Sequence, residues 1–224
     1  MAIKAIGAGG IGGCLLRLLC QYLAFEKPGS AIVIIDGDKF EPKNAQRQQF
    51  TSLGNKAEVS ATDLSRLYPQ LRISARGEYG VGDNIYGLIE ERDEVFSCVD
   101  NHATRKLISD RAEELEDILL ISGGNTLTDG NAQIFLRRNG EDVTLPIVNK
   151  FHPELAHPTD KNPGDLSCGE QMESTPQILL TNNMVAAIML NAYFAHLNGK
   201  LNYDEVYVDI LTNNARQVRR GRRA

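Results

Sequence analysis

The chain has 224 residues, of which 42% are hydrophobic, and its formal net charge at pH 7 is −5. This length and hydrophobic content predict one domain with a full core, and the charge argues against nucleic-acid binding over the whole surface. No apolar run approaches the roughly 18 residues of a membrane span, and the apolar start is too short for a leader peptide. We therefore expect a soluble, cytoplasmic protein that binds no membrane.

The first 36 residues predict a strand, a glycine-rich turn, a helix and a second strand. A short apolar run, residues 3–6, enters a turn that contains Gly7, Gly9, Gly10 and Gly12. Glycine permits a sharp turn and lets phosphate oxygens approach the backbone, while the first N–H groups of the next helix face the anion. The G-x-G-x-x-G spacing in this context predicts nucleotide binding. The alternative is a turn that serves packing alone.

The second predicted strand, residues 31–35, ends at Asp36, and Asp38 follows two positions later. A carboxylate at this strand end is placed to accept hydrogen bonds from ribose hydroxyls. The alternative for Asp36 is an ordinary turn carboxylate that serves only the strand end.

The rest of the first half alternates between predicted helices and strands, as in an α/β protein with a parallel sheet. After a helix over residues 11–25 and the second strand, we predict a polar loop (39–44), a helix (56–67), a strand (71–75), a short helix (84–92), a strand (94–99), a helix (103–115) and a strand (118–122). The pattern then changes, because residues 132–136 and 142–146 alternate in polarity and predict antiparallel strands.

The second half contains a long stretch, residues 151–173, without a regular pattern. Such a loop is uncommon in a compact domain and is usually functional or mobile. A helix is predicted from about residue 174 to 197, and a last strand over 205–210. Residues 216–224 are rich in arginine, and we expect a solvated, frayed tail. A contact of this tail with RNA, DNA or an acidic partner is the alternative.

Polar residues fall at or just beyond the carboxyl ends of the parallel strands, where an open α/β sheet binds its ligand. Asp36 and Asp38 offer ribose contacts, Arg47 and Lys56 offer two cations for a triphosphate, and Asp100 offers a carboxylate for a metal ion. Loss of pyrophosphate from ATP needs such cations and Mg²⁺ to neutralise the leaving group, whereas a dinucleotide dehydrogenase does not need the set. The alternatives are solvated surface cations and a turn role for Asp100.

This pattern resembles the adenylation domain of the family that contains ThiF, MoeB and the ubiquitin-activating enzymes. The resemblance is carried, in order, by the glycine turn, Asp36-x-Asp38, Asn44-x-x-Arg47-Gln48, Lys56 and Asp100. It is clearest over residues 3–101 and returns at Cys168, eight positions before a helix proline, an interval similar to that in ThiF and MoeB. The short length and residues 203–209 are most similar to the ThiF-family member of bacterial PRTRC gene systems.

The resemblance implies a fold and a reaction. The fold is a Rossmann-like α/β domain over residues 1–224, with an eight-stranded mixed sheet and helices on both faces. The nucleotide-binding half, residues 1–122, is parallel, and the later strands are antiparallel. The reaction is ATP-dependent adenylation of a carboxylate, usually the C-terminus of a ubiquitin-like or sulfur-carrier protein, with release of pyrophosphate. A homodimer is also implied.

The resemblance also implies a role for individual residues. Asp36 would hold the ribose and Asp100 would hold Mg²⁺, while the residues expected to contact phosphates are Asn44, Arg47, Gln48 and Lys56. Cys168 would be the nucleophile of a later thioester or persulfide step, and its alternative is a plain loop thiol. Residues 151–173 would form the crossover loop over which the tail of a partner passes.

Two departures from the family pattern bear on function. The four cysteines form no C-x-x-C pair, so no zinc site is expected. The sequence also lacks the N-terminal helix that in many relatives gives an arginine to the partner subunit's ATP. We expect neither a ubiquitin-fold recognition domain nor a second catalytic domain in this length, which leaves the acceptor open between a ubiquitin-like protein, a sulfur carrier, a peptide and a small carboxylate. An NAD-dependent oxidoreductase and a nucleotide-binding scaffold without turnover are the alternative functions.

Overall fold

The computed structural model describes residues 2–166 and 177–220. Within these ranges the strands are β1 (Ile3–Ile6), β2 (Ala31–Ile35), β3 (Lys39–Phe40), β4 (Gly54–Asn55), β5 (Arg72–Arg76), β6 (Glu94–Ser97), β7 (Ile118–Asn125), β8 (Asp129–Arg138), β9 (Glu141–Asp142), β10 (Glu205–Asp209) and β11 (Asn214–Val218). The helices are α1 (Gly10–Glu26), α2 (Lys56–Leu67), α3 (Ile85–Leu88), α4 (His102–Glu113), α5 (Pro153–Ala156) and α6 (Leu179–Leu197). Short 3-10 turns occupy Pro42–Asn44 and Pro163–Asp165.

One mixed sheet organises the described part of the chain. Its nine strands run in the order β11-β10-β8-β7-β6-β1-β2-β5, with β9 paired to β8. Strands β7, β6, β1, β2 and β5 pair in parallel and are called the parallel half. Strands β8, β9, β10 and β11 join it through antiparallel pairs and are called the antiparallel half. The expectation of a Rossmann-like mixed sheet is confirmed, with nine strands instead of eight.

Helices cover both faces of this sheet, as expected. Because successive strand residues point to opposite faces, Ala5 and Phe96 belong to one buried cluster, whereas Ile6 and Val95 belong to the other. Helices α1, α2 and α6 contribute side chains to the first cluster, and α3, α4 and α5 to the second. No helix in the described residues is both long and apolar enough to cross a membrane.

Some boundaries differ from the sequence predictions. Residues 39–44, predicted as a loop, contain β3 and a 3-10 turn, because β3 pairs with the equally short β4. The helix predicted over 84–92 covers only Ile85–Leu88. The strand predicted over 142–146 is limited to β9 at Glu141–Asp142. Beyond it, the Thr144 hydroxyl accepts from the Leu136 N–H and donates to a carbonyl of β8, so a side chain takes the place of ladder hydrogen bonds.

The C-terminal region corrects another prediction. The expected frayed tail begins inside β11, in which Arg216 lies opposite Tyr207 of β10. Charged side chains are well tolerated on such an edge strand, which is why arginine content alone did not reveal it. Residues 151–166 are also partly ordered into α5 and a 3-10 turn. Cys168 and the helix start predicted at residue 174 lie outside the described residues. Within the described residues, α6 begins at Leu179.

Candidate functional site

The glycine turn between β1 and α1 is held by contacts that admit no side chain. Gly7 has φ +92°, and a Cβ on it would lie 2.8 Å from the carbonyl oxygen of Cys98. A Cβ on Gly12 would lie 1.9 Å from the carbonyl oxygen of Gly7. These contacts pack the start of α1 directly against the strand ends. The first N–H groups of a helix have no partner within the helix, so this end of α1 is suited to an anion.

Asp36 closes the strand β2 and is bound to the glycine turn. One oxygen of its carboxylate accepts the N–H of Ala8 at 2.6 Å, and the other accepts the N–H of Asp38 at 2.8 Å. The Asn55 amide donates to the Asp36 carbonyl at 2.8 Å, which joins the strand end to the start of α2. Burial raises the pKa of Asp36 above its ordinary value. The carboxylate is thus fixed next to the backbone that the phosphates of a nucleotide would approach.

Lys56 is buried at the first position of α2, with 7% of its surface exposed. Its Nζ atom lies 2.9 Å from Oδ2 of Asp38, and Tyr79 donates its hydroxyl to the other oxygen of Asp38. Burial alone would raise the pKa of Asp38, but the Lys56 ammonium and the Tyr79 hydrogen bond lower it. Asp38 is therefore charged, and it holds the Lys56 cation within the site.

The 3-10 turn after β3 places Asn44, Arg47 and Gln48 opposite the glycine turn. Asn44 is buried and its side chain accepts the N–H of Glu41 at 3.1 Å. Arg47 donates to Oε1 of Gln177 at 3.1 Å, a contact across 130 positions of the chain. Gln48 is 7% exposed, and its Oε1 has no hydrogen-bond partner within the described residues. A buried polar atom of this kind is costly unless a ligand or water completes it.

Asp100 lies just after β6 and is exposed at the start of α4. Sequence reasoning missed Arg105, one turn further along α4, which donates to the carbonyls of Val99 at 3.1 Å and Gly123 at 2.7 Å. Burial lowers the pKa of Arg105, and the neighbouring Asp100 opposes that effect. The position of Arg105 in the sequence could have identified it. A residue near the start of a helix that follows a parallel strand faces the carboxyl edge of the sheet, where the other site residues lie.

These side chains share a cavity of about 650 Å³. The predicted residues that line it are Gly7, Gly9, Gly10, Asp36, Asp38, Asn44, Arg47, Gln48, Lys56 and Asp100. Gly12 packs behind the turn, and Cys168 is outside the described residues. The lining residues that sequence reasoning missed include Tyr79, Arg105, Asn162 and Gln177. A second cavity, of about 790 Å³, faces the antiparallel half and shares Asp100, Arg105 and Asn125 with the first.

The residues of the first cavity fit a magnesium–nucleotide complex. The backbone of Gly7, Gly9 and Gly10 lines the cavity, Arg47 and Lys56 supply cations, and the unpartnered Gln48 oxygen can accept a hydrogen bond from a ribose hydroxyl. Asp100 is an exposed oxygen ligand of the kind that Mg²⁺ takes together with substrate phosphates and water. No group of three or more His, Cys, Asp or Glu side chains suited to a metal occurs in the described parts of the chain.

The fold and this cavity define a Rossmann-like α/β protein with a polar cavity at the carboxyl edge of its parallel strands, and the comparisons give its family. The ThiF family matches residues 1–222, and the chain belongs to the ThiF family. It is 30% identical to the molybdopterin-synthase adenylyltransferase of Escherichia coli (strain K12), over 97% of this chain and 82% of that protein.

Further similarities agree with this assignment. The chain is 30% identical to the adenylyltransferase and sulfurtransferase uba4 of Ogataea parapolymorpha over 70% of its length, but it covers only 39% of that longer protein. Among solved structures, E. coli MccB with MccA-N7isoASN superposes with a TM-score of 0.71 and 16% identity. That match covers 99% of this chain and 65% of MccB, and it shows the shared fold.

Proposed function

We propose that the chain is an ATP-dependent adenylyltransferase that activates a carboxylate, namely the C-terminus of a ubiquitin-like protein, a sulfur carrier or a peptide. The observation that carries the proposal is the single cavity that contains the glycine turn, Asp36, two cations and Asp100. Relatives named as adenylyltransferases support it. A solved structure of the fold neighbour MccB contains ATP, which is consistent with nucleotide use by this fold.

Each side chain takes a role that its position allows. Asp36 accepts hydrogen bonds from the ribose, while the glycine turn and Gln48 donate to phosphate oxygens. Arg47 and Lys56 bind the phosphates. To do so, the Lys56 ammonium gives up part of its contact with Asp38. Mg²⁺, when held by Asp100, supplies positive charge at the phosphates. Cys168, outside the described residues, is our candidate nucleophile for a later thioester or persulfide step.

The proposed reaction is a displacement at phosphorus. A carboxylate oxygen of the acceptor forms a bond to the α-phosphorus, and the bond from that phosphorus to the bridging oxygen of the β-phosphate breaks. The products are an acyl-adenylate and pyrophosphate, which carries away the electron pair. Arg47 and Lys56 stabilise the charge that builds on this leaving group. The second cavity, which meets the first at Asp100 and Arg105, is the proposed path of the acceptor tail.

The test is thermal unfolding of the wild type, Asp100→Asn and a control, Asp110→Asn, with Mg-ATP, with ATP plus chelator, and with NAD. Asp110 is a half-exposed carboxylate further along α4, paired with Lys106. A ligand at about 100 times its Kd stabilises by about 2.7 kcal/mol. We expect Mg-ATP to stabilise the wild type and Asp110→Asn but to stabilise Asp100→Asn much less.

Stabilisation by NAD with none by Mg-ATP would contradict the proposal and favour a dehydrogenase-type site. Turnover is tested separately by ATP–pyrophosphate exchange with small ubiquitin-fold proteins as acceptors. Binding of Mg-ATP without exchange for any acceptor would favour the scaffold alternative.

A further inference from the structure

The first turn of α4, directly after Asp100, is capped by a residue from a distant part of the chain. The carboxylate of Asp160 accepts the N–H of His102 at 2.7 Å and the N–H of Ala103 at 2.8 Å. Asn101 caps the same turn from within, because its side chain accepts the N–H of Thr104 at 2.7 Å. Each N–H of the first turn thus has an acceptor, and a negative charge lies where the helix dipole favours it.

The segment that carries Asp160 contacts not only α4 but also the opposite side of the nucleotide cavity. We call residues 160–166 the strap. Asn162 is 5% exposed and donates to the carbonyl of Gly80 at 2.7 Å. A Cβ on Gly164 would lie 2.4 Å from Cγ1 of Val81, so the strap packs directly against that segment. The strap therefore crosses the cavity from α4 to the neighbourhood of Tyr79, and three of its residues line the cavity.

Asp100 lies between two fixed points of the backbone. On one side, the N–H of Cys98 binds the carbonyl of Ile6 at 2.7 Å, which holds the end of β6 in the sheet. On the other side, Asp160 holds His102, only two positions after Asp100. A metal ligand depends on such outer contacts for its orientation, and their loss commonly lowers metal affinity 10- to 100-fold.

We propose that Asp160 is a positioning residue of the adenylation site: by capping α4 it sets the place of Asp100 for Mg²⁺. The inference rests on the proposed function, because it takes Asp100 as the metal ligand. It goes beyond that function by making metal affinity depend on a residue that touches neither metal nor nucleotide.

The experiment measures the Mg²⁺ concentration that half-saturates ATP binding, by calorimetry on the full chain. The variants are Asp160→Ala, Asp160→Asn, which keeps one acceptor oxygen, and the control Asp165→Asn, an exposed carboxylate of the same strap. The control removes the same charge without touching α4. We expect Asp160→Ala to need at least about tenfold more Mg²⁺, Asp160→Asn to be intermediate, and Asp165→Asn to match the wild type.

Hydrogen exchange at residues 102 and 103 shows whether the cap has been lost in each variant. Faster exchange at these amides with unchanged Mg²⁺ dependence would overturn the inference, since the cap would then be only structural. Binding of ATP in the presence of chelator should change less than about twofold in all variants; a larger loss in Asp160→Ala than in the control would also overturn it. If Asp160→Ala does not fold, Asp160→Asn decides by the same measurements.

The Asp100→Asn variant separates this inference from the function on which it rests. If Asp100→Asn loses the Mg²⁺ dependence but Asp160→Ala keeps it, the inference fails and the proposed function stands. If the wild type and Asp100→Asn show the same Mg²⁺ dependence, both fail.

Discussion

The two halves of the sheet use their polar side chains differently. At the carboxyl edge of the parallel half, Gln48 keeps a buried oxygen without a partner in the described residues, and Arg47 is bound only to a neutral amide among the contacts found there. In the antiparallel half, the buried Glu205 is bound by His152 at 3.0 Å and by Arg220 and Asn131 at 2.6 Å. The first arrangement leaves capacity for a ligand, whereas in the second both oxygens of Glu205 are bound, although Arg220 Nε lacks a partner in the described residues.

We interpret this contrast as the difference between charged side chains that bind a ligand and charged side chains that stabilise the fold. Removal of one partner of a buried, paired carboxylate is strongly destabilising, because it leaves a buried charge uncompensated. Glu205 joins β10 to the residues just before α5 and to the chain after β11. A cation beside a glycine turn, whose partner is half exposed, can instead turn to an incoming phosphate at small cost, as Lys56 can beside Asp38. We therefore expect the exposure of the partner side chain to distinguish a ligand-binding cation from a structural ion pair.

The largest expected effect concerns the backbone contacts on which the parallel half depends. Replacement Gly12→Ala places a Cβ 1.9 Å from the carbonyl oxygen of Gly7, and neither backbone can yield without moving α1 from the sheet. We expect the free energy of unfolding to fall by about 3 kcal/mol, as for severe overpacking, and Mg-ATP binding to be lost. Urea unfolding measures the first effect and calorimetry the second.

The neighbouring Gly13 is a matched control for this substitution. The nearest atom to a Cβ on Gly13 is the carbonyl oxygen of Ala8 at 3.8 Å, an ordinary contact. Because alanine is favoured over glycine inside a helix, Gly13→Ala should stabilise by about 0.5–1 kcal/mol. Equal effects at the two positions would show that helix propensity, and not the close approach to Gly7, governs this turn.

The next effect concerns Lys56, to which we give a binding role in contrast to the structural role of Glu205. Lys56→Met removes the cation but keeps an unbranched side chain of similar length, so α2 should still pack. A hydrogen bond to a charged group contributes about 1.5–3 kcal/mol, and we expect Mg-ATP affinity to fall about 10- to 100-fold in calorimetric titration. Lys106→Met, at a surface pair on α4, is the control and should leave affinity unchanged. Unchanged affinity in Lys56→Met would place Lys56 with the structural charges.

The sequence was most informative where local chemistry decides the structure. The G-x-G-x-x-G spacing and the charged strand ends located the cavity, because strand, turn and helix follow one another along the chain. The partners of Arg47 and the cap on α4 were missed, since Gln177 and Asp160 are 130 and 58 positions away from the groups they bind. Strand β11 was missed because an exposed edge strand shows little apolar alternation.

The smallest effect is the pH dependence of the antiparallel network, which tests its structural role. Burial alone would lower the pKa of His152, but hydrogen bonds to Glu205 and Glu154 raise it above the ordinary value of 6.5. Burial alone would raise the pKa of Glu205, but its bonds with His152, Arg220 and Asn131 lower it to about 2. Glu205 is therefore charged throughout the pH range in which His152 titrates. The other neighbours of this pair are Tyr207 and Arg220.

A histidine with a raised pKa in the folded state stabilises fully below its unfolded value and loses that contribution as the pH rises through the folded value. The free energy of unfolding of the wild type should therefore fall by about 1.5 kcal/mol above pH 6.5, the lower end of the range for a hydrogen bond to a charged group, and His152→Gln should flatten this fall. His196 gives the opposite control, because burial and Arg138 lower its pKa. It makes the free energy of unfolding rise as the pH approaches 6.5 from below, and His196→Gln should remove that rise while leaving the fall above pH 6.5 in place. Parallel pH profiles for the wild type and His152→Gln would show that folding does not raise the pKa of His152, and that its bonds in the antiparallel half do not favour the imidazolium.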